Sequence, residues 1–222
     1  MMMRMTTKLS LRVLLLAAGF CAQPALALVN GSNNSVAPAG SYDGLNPSVL
    51  NLAMRAYDFA KAHGQVHKDV LTVVDFTKPS YEKRLWVINL DTHQVLFNGL
   101  VAQGKNSGLV YATKFSNAMG SDESSLGTFV TQNEYQGDHP DSLRLVGLEK
   151  GINDNAEARD VVVHPAPYVS DAYAAANHRV GRSWGCFALD PHYAATVVNE
   201  IKGGSVIFAY APQENMDPNL VA

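Results

Sequence analysis

The sequence predicts a strand-dominated α+β domain with a few helices at its periphery. The chain has 222 residues, of which 47% are hydrophobic, and this is enough to bury one good-sized core. Short β-branched and aromatic runs dominate its middle, and helical periodicity is confined to segments before and between them. About seven strands are expected, and the chain shows no internal repeat.

The first 27 residues have the pattern of a secretory signal peptide. An apolar run over residues 13–20 precedes Ala25-Leu26-Ala27, which is a small-x-small cleavage site, and follows three basic residues, Arg4, Lys8 and Arg12. The run is too short to span a bilayer as a helix. A lipoprotein anchor at Cys21 is disfavoured because Phe20 precedes it. We therefore expect an exported protein of the periplasm or cell envelope, without a membrane span.

Residues 28–45 are rich in Asn, Ser, Gly, Pro and Ala, and they are predicted to form a flexible linker. A single domain is expected over residues 46–222. It opens with a helix that Asn46 caps, that has Pro47 in its first turn and that ends at Gly64. The apolar stripe of this helix is interpreted as core material that docks on the rest of the domain.

Alternating and continuous apolar runs predict the strands, and Asp190 is predicted to cap a later helix over residues 191–202. That helix is expected to bury Tyr193, Val197, Val198 and Ile201. Residues 102–126 are rich in Gly and Ser and offer little core material, which indicates a functional or disordered loop. A short helical or irregular excursion is expected over residues 168–180. The predicted strands cover residues 70–76, 84–90, 94–101, 127–132, 143–148, 160–164 and 205–210.

A histidine and a cysteine stand out as candidate catalytic groups. Three valines place His164 at the end of a strand, and Cys186 follows Gly185 in a turn 22 positions later. Signal cleavage would remove Cys21 and leave Cys186 as the only thiol of an exported protein, which favours a reactive role over a buried, inert one. A thiol requires a nearby base to become a nucleophile near neutral pH, and imidazole is the usual one. We expect a Cys186 thiol pKa below the ordinary value of about 8.5.

Three alternatives remain open at this point. His178 could act as the base, although its neighbours indicate a solvated loop. A zinc site formed by His164, His178 and Cys186 is conceivable, but no paired ligand spacing supports it, and no metal is expected. The formal net charge of −3 and the absence of any block of like charges give no reason to expect nucleic acid.

The residues from His164 to Cys186 resemble the signature of the YkuD-type L,D-transpeptidase family, in which a histidine and a spacer precede Ser/Thr-x-Gly-Cys. Ser183-Trp184-Gly185-Cys186 matches its second half, and the segments 115–117, 125–129, 143–145 and 153–156 resemble a bacterial subgroup of the family. The likeness spans about residues 70–210. Two features depart from the pattern: Trp184 stands where histidine is common, and the spacer is longer than usual.

The resemblance implies an L,D-transpeptidase-like mixed β-sandwich or barrel and a cofactor-free cysteine acyl transferase that acts on peptidoglycan stem peptides. Cys186 would be the nucleophile and His164 the base. The backbone amides of Trp184, Gly185 and Cys186 would stabilise an oxyanion, and Arg182 and Ser183 would bind the carboxylates of the substrate, with a surface ion pair as an equal alternative for Arg182. The acceptor could be a second stem, a D-amino acid, a lipoprotein lysine or water. Water would make the enzyme a carboxypeptidase or a related hydrolase.

Two other classes of protein are alternatives to an L,D-transpeptidase. A papain-like or sortase-like peptidase fits poorly, because papain-like enzymes place Cys before His and sortases differ around the cysteine. A non-catalytic cell-wall-binding module would have no use for a paired thiol and imidazole. Asn153, Asn155 and Arg159 are interpreted as residues that hold a turn before the catalytic strand.

Overall fold

Eight β-strands form one mixed sheet in the computed structural model, which describes residues 42–135 and 140–221. The strands follow one another across the sheet in the order β3-β2-β1-β8-β4-β5-β6-β7. The β1–β8 and β6–β7 pairs are parallel, and the other neighbours are antiparallel. The strands are β1 (Val70–Asp75), β2 (Leu85–Asn89), β3 (Gln94–Gly99), β4 (Gly127–Tyr135), β5 (Ser142–Gly147), β6 (Val162–Pro165), β7 (Phe187–Leu189) and β8 (Val206–Tyr210).

The four α-helices lie at the periphery, which confirms the predicted strand-dominated α+β class. Helix α1 (Pro47–Ala62) begins where the Asn46 side chain accepts a hydrogen bond from the Ser48 amide at 2.8 Å. The Asp190 side chain caps α3 (Pro191–Ile201) in the same way, by accepting from the His192 amide at 2.9 Å. The remaining helices are α2 (Asp171–Asn177), a short 3₁₀ helix (Pro212–Met216) and α4 (Pro218–Val221).

Both faces of the central strands are buried, and each face packs against different helices. Leu71 and Val73 of β1 face the cluster that holds α1, whereas Val70 and Val74 face the cluster that holds α3. This two-sided burial explains why apolar residues occupy both faces of β1 and why the strand shows no alternation of buried and exposed positions. The sheet therefore separates two layers of the core, and a third, smaller cluster includes Ala174 of α2 and Ala188 of β7.

Four details differ from the sequence expectations. Tyr193 is 51% exposed, because it lies on the outer side of α3 while Val197, Val198 and Ile201 are buried. Tyr42 lies in the predicted linker but is packed into the α1 cluster. An eighth strand, β7, was not predicted because three residues are too few to show a period. The 102–126 loop is also packed, as its buried residues show: Ala102, Gln103, Ser107, Ala112, Ser124, Ser125 and Leu126.

The buried serines of this loop are tolerated because they bond its backbone. The Ser124 hydroxyl accepts from the Gly104 amide at 2.9 Å, and the Ser107 hydroxyl accepts from the Ser124 amide at 2.8 Å. Small polar side chains thereby replace an apolar core locally. Residues 1–41 lie outside the described residues, so the signal peptide and most of the linker stay predictions.

Candidate active site

The pairing of β6 with β7 brings the predicted nucleophile and base to one face of the sheet. Val163 is paired with Phe187 and His164 with Ala188, so Cys186 precedes the paired segment opposite Val162. Alternate residues share a face, and Val163 and Phe187 both point into the α3 core. Cys186 and His164 therefore lie diagonally on the opposite face, where both line one cavity.

A backbone carbonyl orients the imidazole of His164. Its Nδ1 lies 2.9 Å from the carbonyl oxygen of Pro165, and a carbonyl can only accept. The Nδ1 atom therefore carries the proton of the neutral ring, and Nε2 is the nitrogen that can take up a second one. The side chain is 93% buried, which limits its rotation.

The Cys186 thiol rests in a protonated state. Its Sγ donates to the carbonyl oxygen of Asp160 at 3.4 Å, and Asp160 adopts the left-handed φ of 53° that aims this carbonyl. Burial raises the pKa of the thiol above its ordinary value, and the Asp160 charge adds to this. The Val162 amide and the Arg159 guanidinium lower the thiol pKa, but by less than burial and the Asp160 charge raise it. The expected lowered thiol pKa was therefore wrong.

The turn that presents the thiol is held by Ser183. Its hydroxyl donates to the Cys186 carbonyl at 2.7 Å and accepts from the Gly185 amide at 3.1 Å. Its own amide donates to the Gln103 carbonyl at 2.9 Å, and its carbonyl accepts from the Lys105 amide at 2.7 Å. The side chain is thus engaged within the protein, and substrate contact by Ser183 stays a prediction. The Gly185 amide is also engaged, whereas oxyanion donation by Trp184 and Cys186 stays a prediction.

Glycine is required at position 185 for two reasons. Its φ of 124° lies in a region that L side chains rarely adopt. A Cβ atom there would come within 2.8 Å of the Glu123 carbonyl oxygen and 3.3 Å of Arg159 Nη2. The turn therefore approaches the 116–125 segment closely, and this approach sets the position of the neighbouring thiol.

Arg159 forms hydrogen bonds with that segment and lies near Cys186. Its Nη1 donates to the Ser116 carbonyl and to Ser125 Oγ, each at 2.6 Å. Its Nη2 donates to the Glu123 carbonyl at 2.6 Å and to Ser121 Oγ at 3.0 Å. The sequence suggested that Arg159 holds the turn just before the catalytic strand. The guanidinium instead organises a segment more than 30 positions upstream, and its charge acts on Cys186.

The cavity in front of these groups has a volume of about 620 Å³. Arg182 and Trp184 border it, as do Tyr135, Ser142 and Tyr168, which the sequence interpretation did not single out. Trp184 is 75% exposed, and its ring lies 5.4 Å from Lys105 Nζ in a cation–π contact. Arg182 is exposed and donates to the Lys105 carbonyl at 2.7 Å. The cavity therefore combines a buried floor with an exposed aromatic and cationic rim.

Tyr168 and Asp160 are the site residues that sequence reasoning missed. The Tyr168 ring packs where a Cβ on Gly181 would lie, and burial, together with the Cys186 charge, raises its pKa to about 12. No motif in the neighbouring sequence indicates a role for Tyr168 or Asp160. Each lies near the thiol only because β6 pairs with β7. His178, the alternative base, is exposed at the end of α2 and does not border the cavity.

We expect Arg159→Met to move the pH dependence of Cys186 alkylation to higher pH. The reason is that the variant loses the positive charge that lowers the thiol pKa. It also loses four hydrogen bonds from a charged donor, which should lower the free energy of unfolding by about 1.5–3 kcal/mol. Iodoacetamide labelling followed by intact mass measures the first effect, and denaturant unfolding measures the second.

The matched control for this experiment is Arg182→Met, which removes a cation from the rim of the cavity but leaves the hydrogen bonds of Arg159 to the 116–125 segment in place. It should leave the labelling profile and the stability unchanged. An Arg159→Met profile identical to that of the wild type would contradict the electrostatic role of Arg159.

A strand-borne histidine and a turn-borne cysteine lie at the floor of an open cavity, and such a pair of groups can support nucleophilic chemistry by a thiol. The profile of the YkuD_2 family, described as the L,D-transpeptidase catalytic domain, matches residues 41–210. The chain belongs to this family, which confirms the predicted resemblance and the L,D-transpeptidase-like fold. No curated protein matches the chain.

Several solved structures resemble the chain at low sequence identity. An L,D-transpeptidase from Mycobacterium smegmatis is 20% identical with a TM-score of 0.39, over 64% of this chain and 59% of that one. One from Stackebrandtia nassauensis is 16% identical with a TM-score of 0.38, over 79% and 71%. L,D-transpeptidase 1 from Mycobacterium tuberculosis is 15% identical with a TM-score of 0.35, over 64% and 62%. The chain thus spans less than two thirds of the two mycobacterial proteins.

Proposed function

We propose that this chain is an L,D-transpeptidase that forms a thioester between Cys186 and a peptidoglycan stem peptide. The observation that carries the proposal is the placement of Cys186 and a carbonyl-oriented His164 on one face of a cavity, in a chain of this family. The cavity volume of about 620 Å³ lies within the range of small-ligand sites.

In the first half-reaction, His164 Nε2 takes the proton of the Cys186 thiol as the sulfur attacks the carbonyl carbon before the terminal D-amino acid. The protonation of the resting thiol makes this transfer necessary near neutral pH. The C–N bond then breaks, and the imidazolium gives its proton to the departing amine. A thioester remains on Cys186.

In the second half-reaction, an amine attacks the thioester carbon and loses a proton through His164, and the thiol is restored. Water in place of the amine would make the enzyme an L,D-carboxypeptidase or a related hydrolase on the same fold. A second stem, a D-amino acid or a lipoprotein lysine would make it a transpeptidase in the strict sense. Tyr168 keeps its proton because its pKa is raised to about 12, so its hydroxyl can donate to negative charge near the sulfur.

Arg182 and Ser183 are proposed to bind the substrate, and the exposure of Arg182 at the cavity rim supports this for the guanidinium. We also propose that the protein is exported to the periplasm or cell envelope, where peptidoglycan lies, after cleavage behind Ala27. Among the described residues, no helix has the length and apolar character needed to cross a membrane. N-terminal sequencing of the protein from its native host tests the cleavage site.

The function is tested by incubating the protein with a carbapenem, whose strained amide acylates a nucleophilic cysteine, and by measuring its intact mass. We expect one covalent adduct per chain, no adduct in Cys186→Ala, and unchanged thermal unfolding in that variant. Absence of the adduct in the wild type, while Cys186 still reacts with iodoacetamide, would leave the non-catalytic cell-wall-binding module as the better account.

A second experiment resolves the acceptor. Purified peptidoglycan is incubated with the wild type or with Cys186→Ala, digested with a muramidase, and its fragments are separated and weighed. New cross-linked dimers indicate transfer to a second stem, and stems shortened by one residue indicate hydrolysis. Exchange of the terminal residue indicates transfer to an added D-amino acid. A profile identical to that of Cys186→Ala would contradict activity on peptidoglycan.

A further inference from the structure

Three buried carboxylates meet at a place that the proposed reaction does not use. Glu149 follows β5, whereas Glu214 and Asp217 belong to the C-terminal segment Pro212–Val221. One oxygen from each lies within 4.8 Å of the others, and the residues are only 1%, 3% and 4% exposed. Acidic side chains are rarely buried without a partner, so this cluster needs an explanation.

Hydrogen bonds to two of the acids orient the cluster. Glu149 Oε1 accepts from the Thr128 amide at 2.6 Å. Asp217 Oδ1 accepts from the amide of Asn219 at 2.9 Å and from its side chain at 3.0 Å. One buried oxygen of each acid forms no hydrogen bond of normal geometry among the described residues, namely Glu149 Oε2, Glu214 Oε2 and Asp217 Oδ2, and the Glu149 and Asp217 carboxyl groups lie against each other. No ion pair found in the described part of the chain includes any of the three.

A neutral side chain independently points to a ligand at the same place. The Thr128 hydroxyl is fully buried, forms no hydrogen bond of normal geometry among the residues described, and lies against the Glu149 carboxyl. Burial raises the pKa of the neighbouring Glu149 carboxyl to about 9, and the Thr128 side chain opposes this increase. Burying a hydroxyl without a hydrogen bond costs free energy of folding. The Thr128 hydroxyl therefore offers a fourth oxygen atom that a bound group could contact.

The scaffold under Glu149 is rigid and leaves room for the carboxylate. A Cβ on Gly127 would lie 2.8 Å from both Glu149 oxygens, so only glycine permits this position. Asn153 donates to the carbonyls of Leu126 and Thr128, at 2.9 and 3.0 Å, and accepts from the Glu149 amide at 2.9 Å. Such an outer layer of hydrogen bonds is the kind that orients metal ligands.

The donor set consists of oxygen atoms, which hard divalent cations prefer. Ca²⁺ fits better than Mg²⁺, because it accepts irregular geometry and bidentate carboxylates whereas Mg²⁺ demands a near-ideal octahedron. A cavity of about 330 Å³ gives access to the cluster, since Glu214 and Asp217 line it together with Asn117 and Gly151. A divalent cation would also pair with these enclosed carboxyl groups, none of which forms an ion pair with a cationic side chain among the described residues.

We propose that Glu149, Glu214 and Asp217, together with the Thr128 hydroxyl, bind one Ca²⁺ ion. The ion joins the C-terminal segment to the β4–β5 region, and Leu220 in the same segment packs into the α1 cluster. Bound Ca²⁺ thus stabilises the fold at a site that contains neither Cys186 nor His164. This site does not depend on the proposed transpeptidase function.

The test uses the whole purified protein, freed of metal with EDTA and then titrated with CaCl₂ by calorimetry. We expect one saturable site per chain and a rise in Tm of about 5–10 °C at saturating Ca²⁺. Both effects should vanish in Glu149→Gln and in Glu214→Gln, which keep the size of the side chain. Glu157→Gln, at an exposed acid of the neighbouring turn, should keep both effects.

Two results would overturn the proposal. The first is the absence of saturable Ca²⁺ binding in the wild type, which would mean that shared protons neutralise the cluster. The second is Ca²⁺ binding that persists in both glutamine variants, which would place the ion elsewhere. If a glutamine variant fails to fold, Asp217→Asn provides the same comparison.

Discussion

We expect His164→Asn to slow acylation of Cys186 by a carbapenem about 10²–10⁴-fold at neutral pH. Burial raises the pKa of the thiol, so few molecules carry a thiolate unless the imidazole removes the proton. Asparagine cannot act as a base. Stopped-flow or mass-resolved acylation rates measure the loss.

The direction of the thiol pKa shift predicts how the acylation rate of His164→Asn depends on pH. The thiol is neutral when protonated, and its raised pKa means that the thiolate forms only at high pH. The rate of the His164→Asn variant should therefore rise with pH until the raised thiol pKa is passed, and approach that of the wild type there. A variant that stays slow at every pH would show that His164 does more than deprotonate the sulfur.

His178→Asn is the matched control, because His178 was the alternative base. It ends α2 with a φ of 53°, a left-handed conformation that asparagine tolerates well. This variant should keep the stability and the acylation rate of the wild type. A large loss of rate in His178→Asn would overturn the assignment of the base.

We expect Gly185→Ala to reduce Cys186 acylation about 10²-fold and to lower the free energy of unfolding by ~2–5 kcal/mol. The new methyl group meets the Glu123 carbonyl oxygen at 2.8 Å, and the backbone must also leave its φ of 124° or be strained there. Either response displaces the sulfur relative to His164. Denaturant unfolding and carbapenem acylation measure the two effects.

Gly203→Ala is the control that separates the effect of backbone strain from that of the steric clash with the Glu123 carbonyl oxygen. Gly203 has a φ of 85°, but a Cβ there would meet no atom within 4 Å. The variant should lose ~1–3 kcal/mol of stability from strain and keep the acylation rate. Equal acylation rates in the two variants would contradict the view that close approach to Glu123 positions the nucleophile.

Local hydrogen bonds explain which elements the sequence predicted well. Asn46-Pro47 and Asp190-Pro191 begin helices because each cap bonds an amide only two residues away. The hairpin formed by β2 and β3 around residues 91–93 is local in the same sense. Strand β7 depends instead on pairing with β6, which lies over twenty positions earlier, and its three residues carry no period of their own.

Burial in the 102–126 loop is a second case that sequence reasoning could not reach. Its serines are polar, and their burial is tolerable only because partners such as Gly104 and Ser124, or Ser107 and Ser124, meet across the loop. Arg159 completes the arrangement from outside the loop. Composition alone therefore indicates a functional or disordered loop, and it does not show that this loop is packed into the fold.

The sequence by itself determined the family and the two candidate catalytic residues. His164 and the Ser-x-Gly-Cys motif can be recognised from residue types and spacing, without knowledge of which residues are in contact in space. The tertiary structure alone decided that the thiol rests protonated, that Arg159 and Tyr168 face it, and that Glu149, Glu214 and Asp217 converge. These properties arise from desolvation and from contacts between residues distant in the chain. Their energies depend on positions in space, which sequence patterns do not encode.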